Sequence, residues 1–147
     1  MKTNNLGLAL LKQWEGCRLN SYQDSAGVWT IGYGETLNIK PGMTITQDQA
    51  DKVLLDSLVK YEATVNAVNQ VDLSQNEFNT LVCLCYNIGQ GAYQNSTLVK
   101  ELNNSNRKSA LIHFMDFIKI RDPKTGNLVV LEGLINRRRA EQILFIS

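Results

Sequence analysis

The sequence predicts an α+β fold that is mostly helical: a small N-terminal lobe built on a β-hairpin, a long helix leading out of it, and a helical C-terminal lobe. Three observations predict it. Strand formers and turn residues cluster between Arg18 and Gly34. From Thr46 to Val65, apolar residues recur at helical spacing. The remainder reads as shorter helices set apart by Gly, Asn and Pro. At 147 residues, 44% hydrophobic and 20% charged, the chain can bury a core of its own, so one domain over 1–147 is expected.

The first element runs from Leu6 to Trp14 and puts Leu8, Leu11 and in part Leu10 and Trp14 on one stripe. Asn4 or Asn5 can cap its start and Gly16 can stop it. Glu15 then falls on the last turn. Partial negative charge at a helix C-terminus disfavours an ionised carboxylate and favours a carboxyl that keeps its proton. Tyr22, Val28, Trp29, Thr30, Ile31 and Tyr33 read as strand, and Asp24-Ser25-Ala26-Gly27 as the turn between strands. Leu37-Asn38-Ile39 is expected to add a short strand before Pro41-Gly42.

Thr46, with Asp48 and Gln49 behind it, forms a partial capping pattern for the long helix, whose inward positions are Ala50, Val53, Leu54, Leu58, Tyr61 and Val65. Ser74 caps a segment carrying Phe78, Leu81, Val82, Cys85 and Tyr86, stopped near Gly89 and Gly91. Asn95 or Ser96 starts another helix through Leu98 and Leu102, and Asn106 to Ile118 forms a third, with Ala110, Leu111, Phe114 and Phe117 inward. Asp122 to Asn127 is a turn cluster, and Leu131 to Phe145 contains the last helix.

Composition excludes several function classes. A net charge of +1 gives no field for capturing nucleic acid, and Arg137-Arg138-Arg139 is too short and isolated to supply one. In that run two of the three arginines are expected to be solvated, since successive helical residues point different ways. Cys17, Cys83 and Cys85 cannot all pair within one chain, and buried free thiols are expected. A single histidine, His113, and no clustered Cys/His spacing argue against a metal, and no cofactor is expected. The apolar run Leu6–Leu11 is short for a signal core and is interrupted by Lys12, Trp14 and Glu15, and no run is long enough to span a bilayer.

The chemistry lies in Glu15, Asp24 and Thr30. Two carboxyl groups in unlike environments can serve as acid and base at one pH, the requirement for cleaving a glycosidic bond. Glu15, beside an apolar wall that could include Trp14 or Trp29, suits the acid. Asp24 on a polar turn stays ionised, and Thr30 carries a rotamer-restricted hydroxyl able to hold a water. Taken singly, a helix-end glutamate is usually solvated and a turn aspartate usually caps its own turn. Tyr86, Asn87 and Tyr93 offer aromatic faces and an amide for sugar, against the plainer roles of core packing and helix capping. Gly34 has no side chain to keep a saccharide from the strand end.

Glu15…Asp24…Thr30, the strand Thr30-Ile31-Gly32-Tyr33-Gly34, Asn87-Ile88-Gly89, Gly133 to Arg139 and the ending Glu141 to Phe145 together resemble the phage-type lysozymes, the T4- and P22-like glycoside hydrolase family 24. The likeness runs nearly from end to end. It implies a lysozyme-like two-lobed fold and an endolysin: a muramidase hydrolysing the β-1,4 bond between N-acetylmuramic acid and N-acetylglucosamine of bacterial peptidoglycan, with inversion. It also implies synthesis in the host cytoplasm, release to the periplasmic wall through a holin lesion, no nucleic-acid partner and no stable membrane insertion; a monomer is expected. It pairs Arg137 with Glu15 and places substrate contacts at Asn87, at Tyr86 and near Ser96. Two departures stand out: Glu35 occupies a position where relatives carry histidine, and Phe117 is nearest to a usual tryptophan. A non-catalytic glycan-binding module and a lytic transglycosylase are the alternatives.

Overall fold

The computed structural model describes all of residues 1–147. Helix α1 (Asn5–Glu15) opens on Asn4, whose side chain accepts from the amides of Leu6 and Gly7, and closes on Gly16 at φ +65°, where only glycine is unstrained. Gly16 turns the chain almost directly into β1 (Arg18–Gln23), which pairs antiparallel with β2 (Trp29–Gly32). The expected hairpin is therefore present, and Glu15 sits at its root.

A strand at Leu37–Ile39 does not form. Asn38 adopts a left-handed backbone at φ +58°, and Leu37 is 77% exposed, so the segment turns over and has no partner to pair with. The neighbour of β1 is instead the stretch just before the long helix: Asn20 bridges Thr44, and the amide of Ser21 donates to Met43 O at 2.8 Å.

Helix α2 (Gln47–Val68) starts with a complete Thr46–Gln49 capping box and buries Ala50, Leu54, Leu58 and Val65. Helix α3 (Gln75–Ile88) starts with a Ser74–Glu77 capping box, and every residue from Glu77 to Cys85 is buried. Burial all round marks a central helix rather than a surface one. It packs against α1, against α2 and against the C-terminal helix α7 (Glu132–Phe145), and so joins the first and last helices of the chain.

The C-terminal part departs from expectation in three places. Gly91 lies inside a short helix α4 (Gln90–Gln94) rather than in a stop. The helix expected over Asn106–Ile118 breaks early: α6 (Arg107–Ile112) follows α5 (Thr97–Asn103) and gives way to a 3-10 turn at His113–Asp116. The region is also not wholly helical, because β3 (Lys119–Arg121) and β4 (Leu128–Val130) flank the Asp122–Asn127 turn as a second antiparallel hairpin.

One apolar cluster of 19 buried residues runs from Leu11 on α1 to Phe145 on α7. A polar latch ties the lobe to the helices outside it. Lys12 Nζ lies 3.0 Å from Asp51, and the Tyr33 hydroxyl donates to Asp51 at 3.0 Å. Gln47 donates to both Asp51 and the Tyr33 oxygen. Burial, then the bond to Asp51, push the Tyr33 hydroxyl up to about 12, while Lys12 chiefly holds the Asp51 carboxyl below its ordinary value.

All three cysteines are free; Cys83 and Cys85 are buried and Cys17 is half-exposed. Burial pushes the thiols of both Cys83 and Cys85 up, Cys85 to about 12. Titration of the native protein with a chromogenic disulfide should therefore modify Cys17 quickly and leave the other two unreacted until denaturant is added. Rapid labelling of Cys83 in the folded state would contradict the packing described.

Candidate active site

Glu15 is the last residue of α1, and its carboxylate is held asymmetrically. Oε1 is sealed from solvent and lies 2.7 Å from Nη1 of Arg137, which reaches across from α7. The side chain as a whole is 19% exposed, so Oε2 is the oxygen left open. On α3, burial pushes both Cys83 and Tyr86 up; the Glu141 charge ahead of that of Glu15 adds to it at Cys83, and the Glu15 charge adds to it at Tyr86.

Asp24 is held in the same one-sided way. Its Oδ1 accepts from the amides of Ala26 and Val28, each at 2.9 Å, and its own amide donates to Val28 O at 2.9 Å. The turn role expected of a lone aspartate is therefore filled, but by one oxygen only; Oδ2 accepts no hydrogen bond from the protein. Thr30 stands opposite Tyr22 in the β1–β2 register. Residues two apart on a strand share a face, so Asp24, two beyond Tyr22, lies on the same side of the hairpin as Thr30. Thr30 is buried, and its hydroxyl donates to Val28 O at 2.9 Å. With its proton committed there, the oxygen is left as an acceptor.

Asp24 Oδ2 and the Thr30 oxygen are thus acceptors on one face of the hairpin, and the Glu15 carboxyl lies at its root. Known proteins that resemble this chain are phage lysozymes and endolysins. A match to the phage lysozyme family spans residues 12–141. The chain is 41% identical to the endolysin of Acyrthosiphon pisum secondary endosymbiont phage 1, over 100% of this chain and 99% of that one. It is 35% identical to the endolysin of Salmonella phage P22, over 100% and 99%. The solved structure of the endolysin from Escherichia coli O157:H7 phage FAHEc1 superposes with a TM-score of 0.95 at 38% identity, covering 100% of this chain and 94% of that one.

The chain belongs to the phage lysozyme family.

As a phage-type lysozyme it is a glycoside hydrolase, and the mostly helical α+β fold is the family's. No helix is long and apolar enough to cross a membrane. The remaining expected site residues divide by position. Asn87, at the end of α3, is exposed; its Oδ1 accepts from Arg138 Nη2 at 2.8 Å, which leaves its amide nitrogen free. The same nitrogen-bearing side chain borders a groove shared with Phe117, Lys119, Ile120 and Leu134, so the β3–β4 hairpin adjoins it. Tyr86 is half-buried, stacks at a tilt on Tyr61 with ring centroids 5.0 Å apart, and donates to Tyr33 O at 3.1 Å. Those contacts make it a bridge between α3 and the small lobe.

Gly34 sits at φ +104° in a tight reversal closed by paired Ile31 and Glu35 backbone bonds, with open space where a side chain would project. Ser96 caps α5 by accepting from Val99 at 3.1 Å, the plainer of its two expected roles. Glu35 lines the apolar recess between the small lobe and α2, within electrostatic range of Tyr86.

The arginine run corrects one expectation. Arg137 does pair with Glu15, but only Arg139 is solvated; Arg138 is fully buried. Its partner is Glu141, also fully buried, which sequence reasoning passed over. A signal was available: Glu141 stands four residues after Arg137 and three after Arg138, the two spacings at which helical side chains meet.

Proposed function

We propose that this chain is an endolysin muramidase that hydrolyses the β-1,4 bond between N-acetylmuramic acid and N-acetylglucosamine of peptidoglycan with inversion, its whole length acting as one catalytic domain. The observation that carries the reading is the one-sided engagement of the two carboxyls: Glu15 Oε1 meets Arg137 in an ion pair and Asp24 Oδ1 accepts two amide hydrogen bonds, while the second oxygen of each has no protein partner. Glu15 Oε2 gives its proton to the leaving glycosidic oxygen. Asp24 Oδ2 and the Thr30 oxygen accept from a water, aim it at the anomeric carbon, and Asp24 takes its proton as the new C–O bond forms. Asn87, Tyr86 and Gly34 supply sugar contacts, and Ser96 contributes from the start of α5. The biological setting is lysis of a bacterial host late in a phage or prophage cycle, with synthesis in the cytoplasm, holin-dependent release and action as a monomer.

Digestion of purified peptidoglycan tests it. Hydrolysis leaves reducing muramic acid ends, initially as the α anomer; anhydromuramic ends would identify a transglycosylase, and glycan binding without cleavage a binding module. Thr30→Val tests the acceptor role. Val28 O keeps its bond from the Asp24 amide, so no carbonyl is orphaned and the melting temperature should hold. The rate should fall roughly 10–100-fold, the scale of one lost hydrogen bond to a reacting group. Thr30→Ser should recover most of it, and an unaffected Thr30→Val rate would remove the residue from the mechanism.

A further inference from the structure

Behind the acid stands a buried chain of alternating charge that the reaction itself does not consume: Glu15, Arg137, Glu141, Arg138. Arg137 spends each of its nitrogens on a different partner: Nη1 on Glu15 at 2.7 Å, Nε on Glu141 Oε1 at 3.2 Å, and Nη2 on Cys83 O at 3.5 Å. Arg138 grips Glu141 with a fork, Nε to Oε2 at 2.8 Å and Nη2 to Oε1 at 2.9 Å, and the same Nη2 donates to Asn87. Arg137 is 5% exposed, and Arg138 and Glu141 are not exposed at all. Burial pushes the Glu141 carboxyl up and Arg138 down, each towards its neutral form; the forked contact opposes both.

A buried ion pair is a poor stabiliser compared with apolar residues of the same volume, so its presence here calls for another role. We propose that Glu141, clamped by Arg138, is a positioning residue for the catalytic acid: it fixes Arg137 so that Nη1 meets Glu15 Oε1 and Oε2 is left open. The inference rests on the reading of Glu15 as the proton donor. Arg137 meets Glu15 directly, Glu141 meets Arg137 at 3.2 Å, and Arg138 meets Glu141 at 2.8 Å.

Glu141→Gln removes the carboxylate that Arg137 Nε and Arg138 both meet. It should lower kcat about 10–100-fold through the loosened Arg137, with KM little changed. Glu141→Asp should restore part of the loss. Since Glu141→Gln strands a buried cation and could unfold, Glu141→Leu combined with Arg138→Met replaces the pair by apolar volume. That double variant should melt as the parent does and still lose kcat. A folded variant with parental kcat would overturn the proposal. Loss of folding in both variants would make the pair a structural element and overturn it too. Failure of the parent to release reducing muramic ends would instead overturn the functional reading; a crystal structure of Glu141→Gln, expected to show Arg137 Nη1 displaced from Glu15 Oε1, would still report on Glu141.

Discussion

Glu15→Gln should lower kcat on purified peptidoglycan by about 10²–10⁴, the range over which a positioned acid or base acts, while leaving KM and the fold nearly unchanged. The amide keeps the shape of the side chain and an oxygen that can face Arg137 Nη1. What it lacks is the acidic proton at the open position. Arg137 is not stranded by the change, because Glu141 and Cys83 O still hold it at 3.2 and 3.5 Å. The structural cost is the difference between a charge-assisted and a neutral hydrogen bond, about 1 kcal/mol, or roughly 2–4 °C of melting temperature in a chain of this size. The result that decides the matter is therefore a large rate loss in a protein that melts close to the parent. A rate within a few-fold of the parent would remove Glu15 as the acid. A variant that melts far lower would show that the Glu15–Arg137 contact holds the lobes together, and its lost activity would then carry no chemical information.

Most of the fold was legible where a single residue dictates the backbone. Asn4, Thr46 and Ser74 each place a side-chain oxygen against orphan amides, and Gly16 and Gly89 each reach a positive φ, so helix ends could be read from residue type alone. The β1–β2 hairpin announced itself by strand formers around an Asp-Ser-Ala-Gly turn. The second hairpin did not. Its strands are three residues each and almost wholly exposed, so no buried face imposes an alternating pattern. The surroundings of the candidate site residues were legible for a similar reason and to a similar depth. Glu15, Asp24 and Thr30 each sit at an element's end or on a short strand, where local rules fix their surroundings. Arg138 and Glu141 become meaningful only once α7 packs against α3, and a run of three arginines reads as solvent-facing until that packing is known.

Asp24 has two roles divided between two oxygens, and paired substitutions should separate them. Asp24→Asn keeps an oxygen at the Oδ1 position to accept from Ala26 and Val28, so the turn should survive and the melting temperature should stay within about 2 °C of the parent. It removes the negative charge and the basic oxygen at the open position, so kcat should fall by about 10²–10³. Asp24→Ala loses both. Its rate loss should be at least as large, and the freed amides of a solvent-accessible turn should add a stability cost of about 1 kcal/mol. The contrast between the two variants is the informative quantity. If Asn retains near-parental turnover while Ala loses it, the aspartate acts by shaping the turn, and the water must be activated elsewhere. If both lose turnover and only Ala loses stability, the free oxygen carries the chemistry and the bound one carries the hairpin. A third pattern, raised KM with parental kcat in both, would mean that Asp24 grips the glycan without taking part in the bond change. The asymmetry of its hydrogen bonds favours the second pattern: a turn that needed the whole carboxylate would use both oxygens, and this one uses Oδ1 alone.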